Sequence, residues 1–127
     1  MKIVHVDTHL PWRGGEQQVL YLTQGLLTRG HNSVVVCPPH SALYQRAQEV
    51  GVRTEALRMR HELDLVAVWQ LARYVRRQRA EILHLHTPHA HSLGLLASKL
   101  VPEVRLVVSR RAVFAPPAYQ KTPSRTA

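Results

Sequence analysis

The chain is 127 residues long and 45% apolar, with 17 Lys and Arg against 8 Asp and Glu for a net charge of +9. That length carries one domain with a real core, and no apolar run reaches the roughly 18 residues that a membrane-spanning helix needs. The stretch after Lys2 is too short for a signal peptide, with His5 and Asp7 interrupting it, and the single Cys37 reads as a buried thiol of a reducing compartment, so a cytoplasmic chain is expected.

Lys2–Val6 reads as a short strand, followed by a Gly14-Gly15 hinge and a helix over Glu16–Arg29 with Val19, Leu20, Leu22, Leu26 and Leu27 at helical spacing. Gly30 stops that helix. Ser33–Cys37 is a β-branched run, the pattern of a strand buried on both faces. Ser41 caps a helix from Ala42 to Val50, which Gly51 closes, and Val52–Leu57 is a weaker strand. The longest helix is expected over Leu63–Gln78. Leu65, Val68, Trp69, Ala72 and Val75 or Leu71 would face inward, with Arg73, Arg76, Arg77 and Arg79 facing water. Glu81–His86 is the next strand, ended by Pro88. Ala90–Leu100 is a helix and Val104–Ser109 a fifth strand. From Ala115 the texture turns to Pro, Ser and Thr, which predicts an unstructured tail over 115–127.

Strands that alternate with helices predict an α/β domain over 1–114. It would be a Rossmann-like open parallel sheet in the order 3-2-1-4-5 with helices on both faces. Ligands of such sheets bind beyond the carboxyl ends of the strands. Three loops converge there, His9–Gly15, His86–Ser92 and Arg110–Phe114.

The first loop is the most informative. A strand, a Gly-Gly turn and a helix opening let backbone N–H groups approach an anion or a sugar, although such a turn also serves as plain chain reversal. Glu16 favours the helix dipole at its start. His84 and His86 lie two apart on one strand and share a face, His86 being the better site candidate and His84 a core histidine. The run His84, His86, His89, His91 invites a zinc reading, but no Cys or carboxylate nearby completes the set, so no metal is expected. Arginine outnumbers lysine, which is confined to Lys2, Lys99 and Lys121. Guanidinium forks suit phosphate, and the charge excess suits acidic partners, though a coding bias toward arginine gives the same excess. Nucleic acid is disfavoured, because the aromatic residues do not interleave with the basic ones as a stacking platform requires.

In order, Gly14-Gly15-Glu16, then Leu26 to Val34 with its Arg29-Gly30-His31, then Gly51-Val52, and Ile82 to Gly94 resemble the N-terminal half of a family-4-type glycosyltransferase of the GT-B fold. The resemblance covers residues 1–114. It implies an acceptor-binding half of an enzyme that moves a sugar from a nucleotide-sugar to a sugar or to a phosphorylated or lipid-linked acceptor of the cell-envelope glycan type. It also implies that this domain binds no cofactor, the nucleotide-sugar belonging to a C-terminal donor domain. The donor signature, two glutamates with seven residues between them, does not occur here, so this chain alone is expected to lack turnover. Gly14 and Gly15 carry over onto the family's glycine-rich loop. Where many relatives have a histidine after the fifth strand, this sequence has Arg110-Arg111, which points to an anionic acceptor. The expected substrate-binding set is Gly14, Gly15, Glu16, His86, Arg110 and Arg111. The basic face of the long helix adds an anionic membrane surface, the inner face, as a further partner. A stand-alone Rossmann-like module that holds a phosphorylated ligand without chemistry is the alternative.

Overall fold

The computed structural model describes residues 1–12, 15–59 and 64–109, so expectations placed on Gly14, Arg110, Arg111 and the 115–127 tail lie outside the described residues. Among the described residues the chain runs β1 (Lys2–Val6), α1 (Gly15–Thr28), β2 (Asn32–Cys37), α2 (Ala42–Glu49) and β3 (Thr54–Ala56). It continues as α3 (Leu65–Arg77), β4 (Ile82–Leu85), α4 (Pro88–Leu100) and β5 (Arg105–Val108). The strands form one parallel sheet in the order β3-β2-β1-β4-β5, as the βα alternation predicts. The chain winds outward from β1 to β3 and then returns to the other side of β1. The switch point therefore falls between β1 and β4, where His5 lies opposite His84.

Both faces of the sheet are covered. Val4, Val6, Val36, Leu83 and Leu85 pack with the inner faces of α3 and α4. Val35 and Cys37 pack with Val19 and Leu20 of α1 and Leu43 and Ala47 of α2. From Ser33 to Cys37 every residue of β2 is buried, as a strand sandwiched between two helix layers must be. The edge strand β5 is open instead, with Val107 and Val108 exposed.

Local chemistry sets the helix ends. Gly30 takes φ 86° just past α1, and the His31 N–H reaches back to the Leu26 carbonyl at 2.9 Å, a left-handed C-terminal closure that suits glycine. Ser41, Asp64 and Thr87 cap α2, α3 and α4, each side chain accepting a backbone N–H from the first turn.

Beyond one-residue shifts at element ends, three boundaries and one face differ from expectation. α4 begins at Pro88, two residues early, because the proline expected only to break the strand fills the first helical position, where its missing N–H costs nothing, while β4 already ends at Leu85. α3 begins at Leu65, where the Asp64 cap places its start, and β3 keeps only three of the residues expected of it. On α3 the buried face is Ala67, Val68, Leu71, Ala72 and Val75. Leu65 and Trp69, expected inside, are 70% and 55% exposed. They lie just round the helix from that arc, and the Arg73 guanidinium covers the Trp69 ring at 5.3 Å. Arg73, Arg76, Arg77 and Arg79 are exposed as predicted.

Candidate functional site

The carboxyl end of the central strand carries an unusual polar series. His5, Asp7 and His9 alternate along the chain, and His5 and Asp7 have no exposed surface. The Asp7 N–H donates to the Val36 carbonyl at 3.0 Å and the His86 N–H to the Val6 carbonyl at 3.0 Å, so the sheet ladder holds both backbones in place. Across the switch point Thr8 and Thr87 clasp through their hydroxyls at 2.7 Å, and the Thr8 N–H donates to Thr87 Oγ1 at 3.3 Å. The loops after β1 and β4 thereby meet, as the convergence of loops predicts.

α1 starts directly over this edge. Gly15 is its first residue, and Glu16, its second, is fully buried. Glu16 Oε2 lies 2.9 Å from His9 Nδ1, and Asp7 Oδ1 accepts the His9 backbone N–H at 3.0 Å. Asp7 Oδ2 is buried with no hydrogen-bond partner. Burial pushes the Asp7 carboxyl up to about 6; the His9 N–H opposes this and the charge of Glu16 adds to it. Two carboxylates and a one-third exposed imidazole thus share a small space at the sheet edge. The Glu16 contact through Nδ1 fixes the orientation of the His9 ring and leaves Nε2 outside that hydrogen bond.

A second polar group sits one layer below. His5 Nδ1 and His86 Nε2 are 3.0 Å apart, and Ser33 Oγ lies 3.4 Å from His5 Nε2. His84 is half-buried, with its ring 4.0 Å from that of His86 and its Nε2 2.6 Å from Ser109 Oγ. Burial, then the nearby His84, pull His5 down to about 3, so it is a neutral imidazole. The four-histidine run does not gather as one group among the described residues. The early start of α4 carries His89 and His91 onto the helix, and His5 joins His84 and His86 instead.

Of the expected site residues, the structure brings Gly15, Glu16 and His86 to one edge of the sheet. Glu16 lies beneath the surface and reaches it through His9, and His86 is 7% exposed. Sequence reasoning missed His5, Asp7, His9, Thr8 and Thr87. The available signal was the alternation of polar residues from His5 to His9 through and beyond a strand expected at the centre of the sheet, where each needs a partner.

A separate cleft of about 700 Å³ lies between β3 and α3, lined by Arg58, Arg73 and Arg77 together with Trp69 and Tyr74. It shares no residue with the carboxyl-edge group.

The model of the family described as Glycosyltransferase Family 4 matches residues 12–126. The chain belongs to glycosyltransferase family 4. Among solved structures it is similar to a glycosyltransferase from Rickettsia africae, with a TM-score of 0.75 and 14% identity, covering 93% of this chain and 31% of that one. It is similar to HepE of Anabaena in complex with UDP-glucose at a TM-score of 0.73 and 17% identity, covering 92% and 31%. MurG of Acinetobacter baumannii follows at 0.68 and 12%, covering 85% and 34%. At these identities the likeness shows the fold, that of one half of GT-B glycosyltransferases. The chain spans about a third of the length of these structures. A search of curated protein sequences finds no match. Within the matched range α1 opens at Gly15, against the Asp7–His9–Glu16 group. No helix of the described residues is long and apolar enough to cross a membrane.

Proposed function

We propose that this family-4 chain supplies the acceptor-binding half of a glycosyltransferase. That enzyme would move a sugar from a nucleotide-sugar to a sugar or lipid-linked acceptor of the cell-envelope glycan type. The observation that carries the reading is the polar floor of Asp7, His9 and Glu16 at the carboxyl end of β1, beside the Gly15 helix start. His9 offers an oriented nitrogen to a sugar hydroxyl. Glycine at positions 14 and 15 carries no side chain, so a diphosphate would be able to approach backbone N–H groups at the start of α1. Arg110 and Arg111, next along the chain from β5, would pair with a phosphate on the acceptor. The donor would be held by a second domain, so this chain binds no cofactor and does not turn over alone. The exposed Leu65, Val66 and Trp69 with Arg73 on α3 form the surface that would rest on an anionic membrane.

The test is titration of the chain with a sugar phosphate, followed by amide chemical shifts. Saturable shifts are expected at Gly15, His9 and His86. They should be lost in Gly15→Val, whose side chain blocks backbone approach, and weakened about tenfold or more in Arg110→Ala, since a charge-assisted hydrogen bond is worth about 1.5–3 kcal/mol. Incubation with UDP- and GDP-sugars should release no nucleotide. Absence of saturable shifts, or sustained nucleotide release by this chain alone, overturns the reading.

A further inference from the structure

Buried polar side chains need partners, and a fully buried histidine on the central strand of a parallel sheet is a costly choice unless something holds it. His5 has two histidines for neighbours. The β1–β4 register sets His5 directly opposite His84, and His86 lies two residues further on the same face. The three ring centroids are 4.0 to 5.3 Å apart, and one nitrogen from each ring lies within 4.8 Å of the other two. We propose that His5, His84 and His86 form a binding site for a divalent transition metal ion of the zinc class, with a fourth position for water or an anionic group.

The distances suit that ion. Zinc binds imidazole nitrogen at about 2.0–2.1 Å, which places the nitrogens of a tetrahedral site roughly 3.4 Å apart. His5 Nδ1 and His86 Nε2 stand at 3.0 Å, so they need only spread by a few tenths of an ångström. The half-buried His84 already places one ring nitrogen within 4.8 Å of a nitrogen of each of the other two rings. The surroundings suit it too. Metal-bound histidines donate their other ring N–H to a fixed acceptor, and Ser33 Oγ stands beside the second nitrogen of His5. The same hydroxyl role falls to Ser109 at His84, 2.6 Å from Nε2. The site lies on the same sheet face as Asp7 and Glu16 but uses none of their atoms. It goes beyond the acceptor reading, and its failure leaves that reading intact.

The experiment uses the chain purified without a polyhistidine tag and stripped with a chelator. Titration with Co2+ should produce the intense visible bands of a four-coordinate site at one ion per chain, and Zn2+ should displace them. His84→Asn and His86→Asn should each weaken Zn2+ binding tenfold or more, whereas His31→Asn and His89→Asn should leave it unchanged. Should either ligand variant fail to fold, ring ¹⁵N shifts of the parent chain decide the matter. Zn2+ must then move the nitrogens of His5, His84 and His86 together. Failure of the parent to bind Co2+ or Zn2+, binding that survives both ligand replacements, or ring shifts confined to other histidines overturns the proposal.

Discussion

Asp7 is the residue at which this molecule works hardest against its own stability. Its carboxyl is fully buried, one oxygen has no hydrogen-bond partner, and a second carboxylate, Glu16, stands beside it. Burial raises its folded pKa to about 6 from the ordinary value of 3.8. The sign follows from linkage. A group whose folded pKa is raised contributes its full stability below the unfolded value and loses it as pH rises through the folded value. Asp7→Asn is therefore expected to stabilise the chain at pH 8, by about 1–3 kcal/mol on the usual scale of 1.36 kcal/mol per pKa unit. The gain should fade as pH drops from about 6 toward 4. Urea unfolding at the two ends of that range checks it, and equal stability of parent and variant at pH 8 contradicts the burial argument. A cost of this kind is tolerated where function needs the group. It also explains why the site was only half legible. Gly15, Glu16 and His86 sit at recognisable punctuation, a glycine turn, a helix start and a strand end. His5 and Asp7 sit inside or beside an apolar strand, where they read as interruptions of a hydrophobic run and not as the floor of a site.

Elements were legible where a local signal and the tertiary structure agree. Gly30 and Gly51 end helices, and both take positive φ there. β2 is apolar from Val34 to Cys37, where both its faces are covered. Disagreement arose where one residue serves two purposes. Pro88 reads as a strand breaker yet begins α4, and Thr87 both caps α4 and clasps Thr8. Thr87→Ala removes the cap and the clasp together and should cost about 1–2 kcal/mol. α4 meets the sheet closely at Gly94. A methyl group there would collide with the Leu85 side chain, including its branch carbon, and Leu85 is fully buried in the sheet beneath. Gly94→Ala is expected to destabilise by about 1–3 kcal/mol despite the higher helix propensity of alanine, because the core has to yield. Denaturant titration checks both variants. A stabilised Gly94→Ala protein would mean that α4 is free to lift off the sheet.

At the scale of the whole molecule, charge and exposed apolar surface fall on the same side of α3. The net charge of +9 is carried mostly by arginine. Arg73 and Arg77 line the 700 Å³ cleft beside Trp69, while Leu65 and Val66 stand 70% and 65% exposed at the start of the helix. The misjudged face of α3 is informative here. Leu65 and Trp69 looked like core residues because they are large and apolar at near-helical spacing, and only the packed fold shows that the buried arc ends before them. Exposed apolar groups flanked by Arg73 and Arg77 suit an anionic lipid surface even with Glu55 and Asp64 in the same cleft, since each basic residue near the interface gains about 1 kcal/mol. The chain is therefore expected to co-sediment with vesicles containing phosphatidylglycerol and not with pure phosphatidylcholine vesicles. Replacing Arg73 and Arg77 together by alanine should weaken binding by at least about tenfold, as two such contributions exceed the roughly 1.4 kcal/mol of one decade. Trp69→Ala should weaken it at unchanged charge, because the ring is lost from the interface. Salt separates the two contributions. Screening shortens the reach of the arginines from about 10 Å at 0.1 M to about 3 Å at 1 M, so the arginine share should vanish at high salt while the Trp69 share persists. Equal binding to neutral vesicles, or binding indifferent to all three replacements, would place the membrane contact elsewhere or remove it.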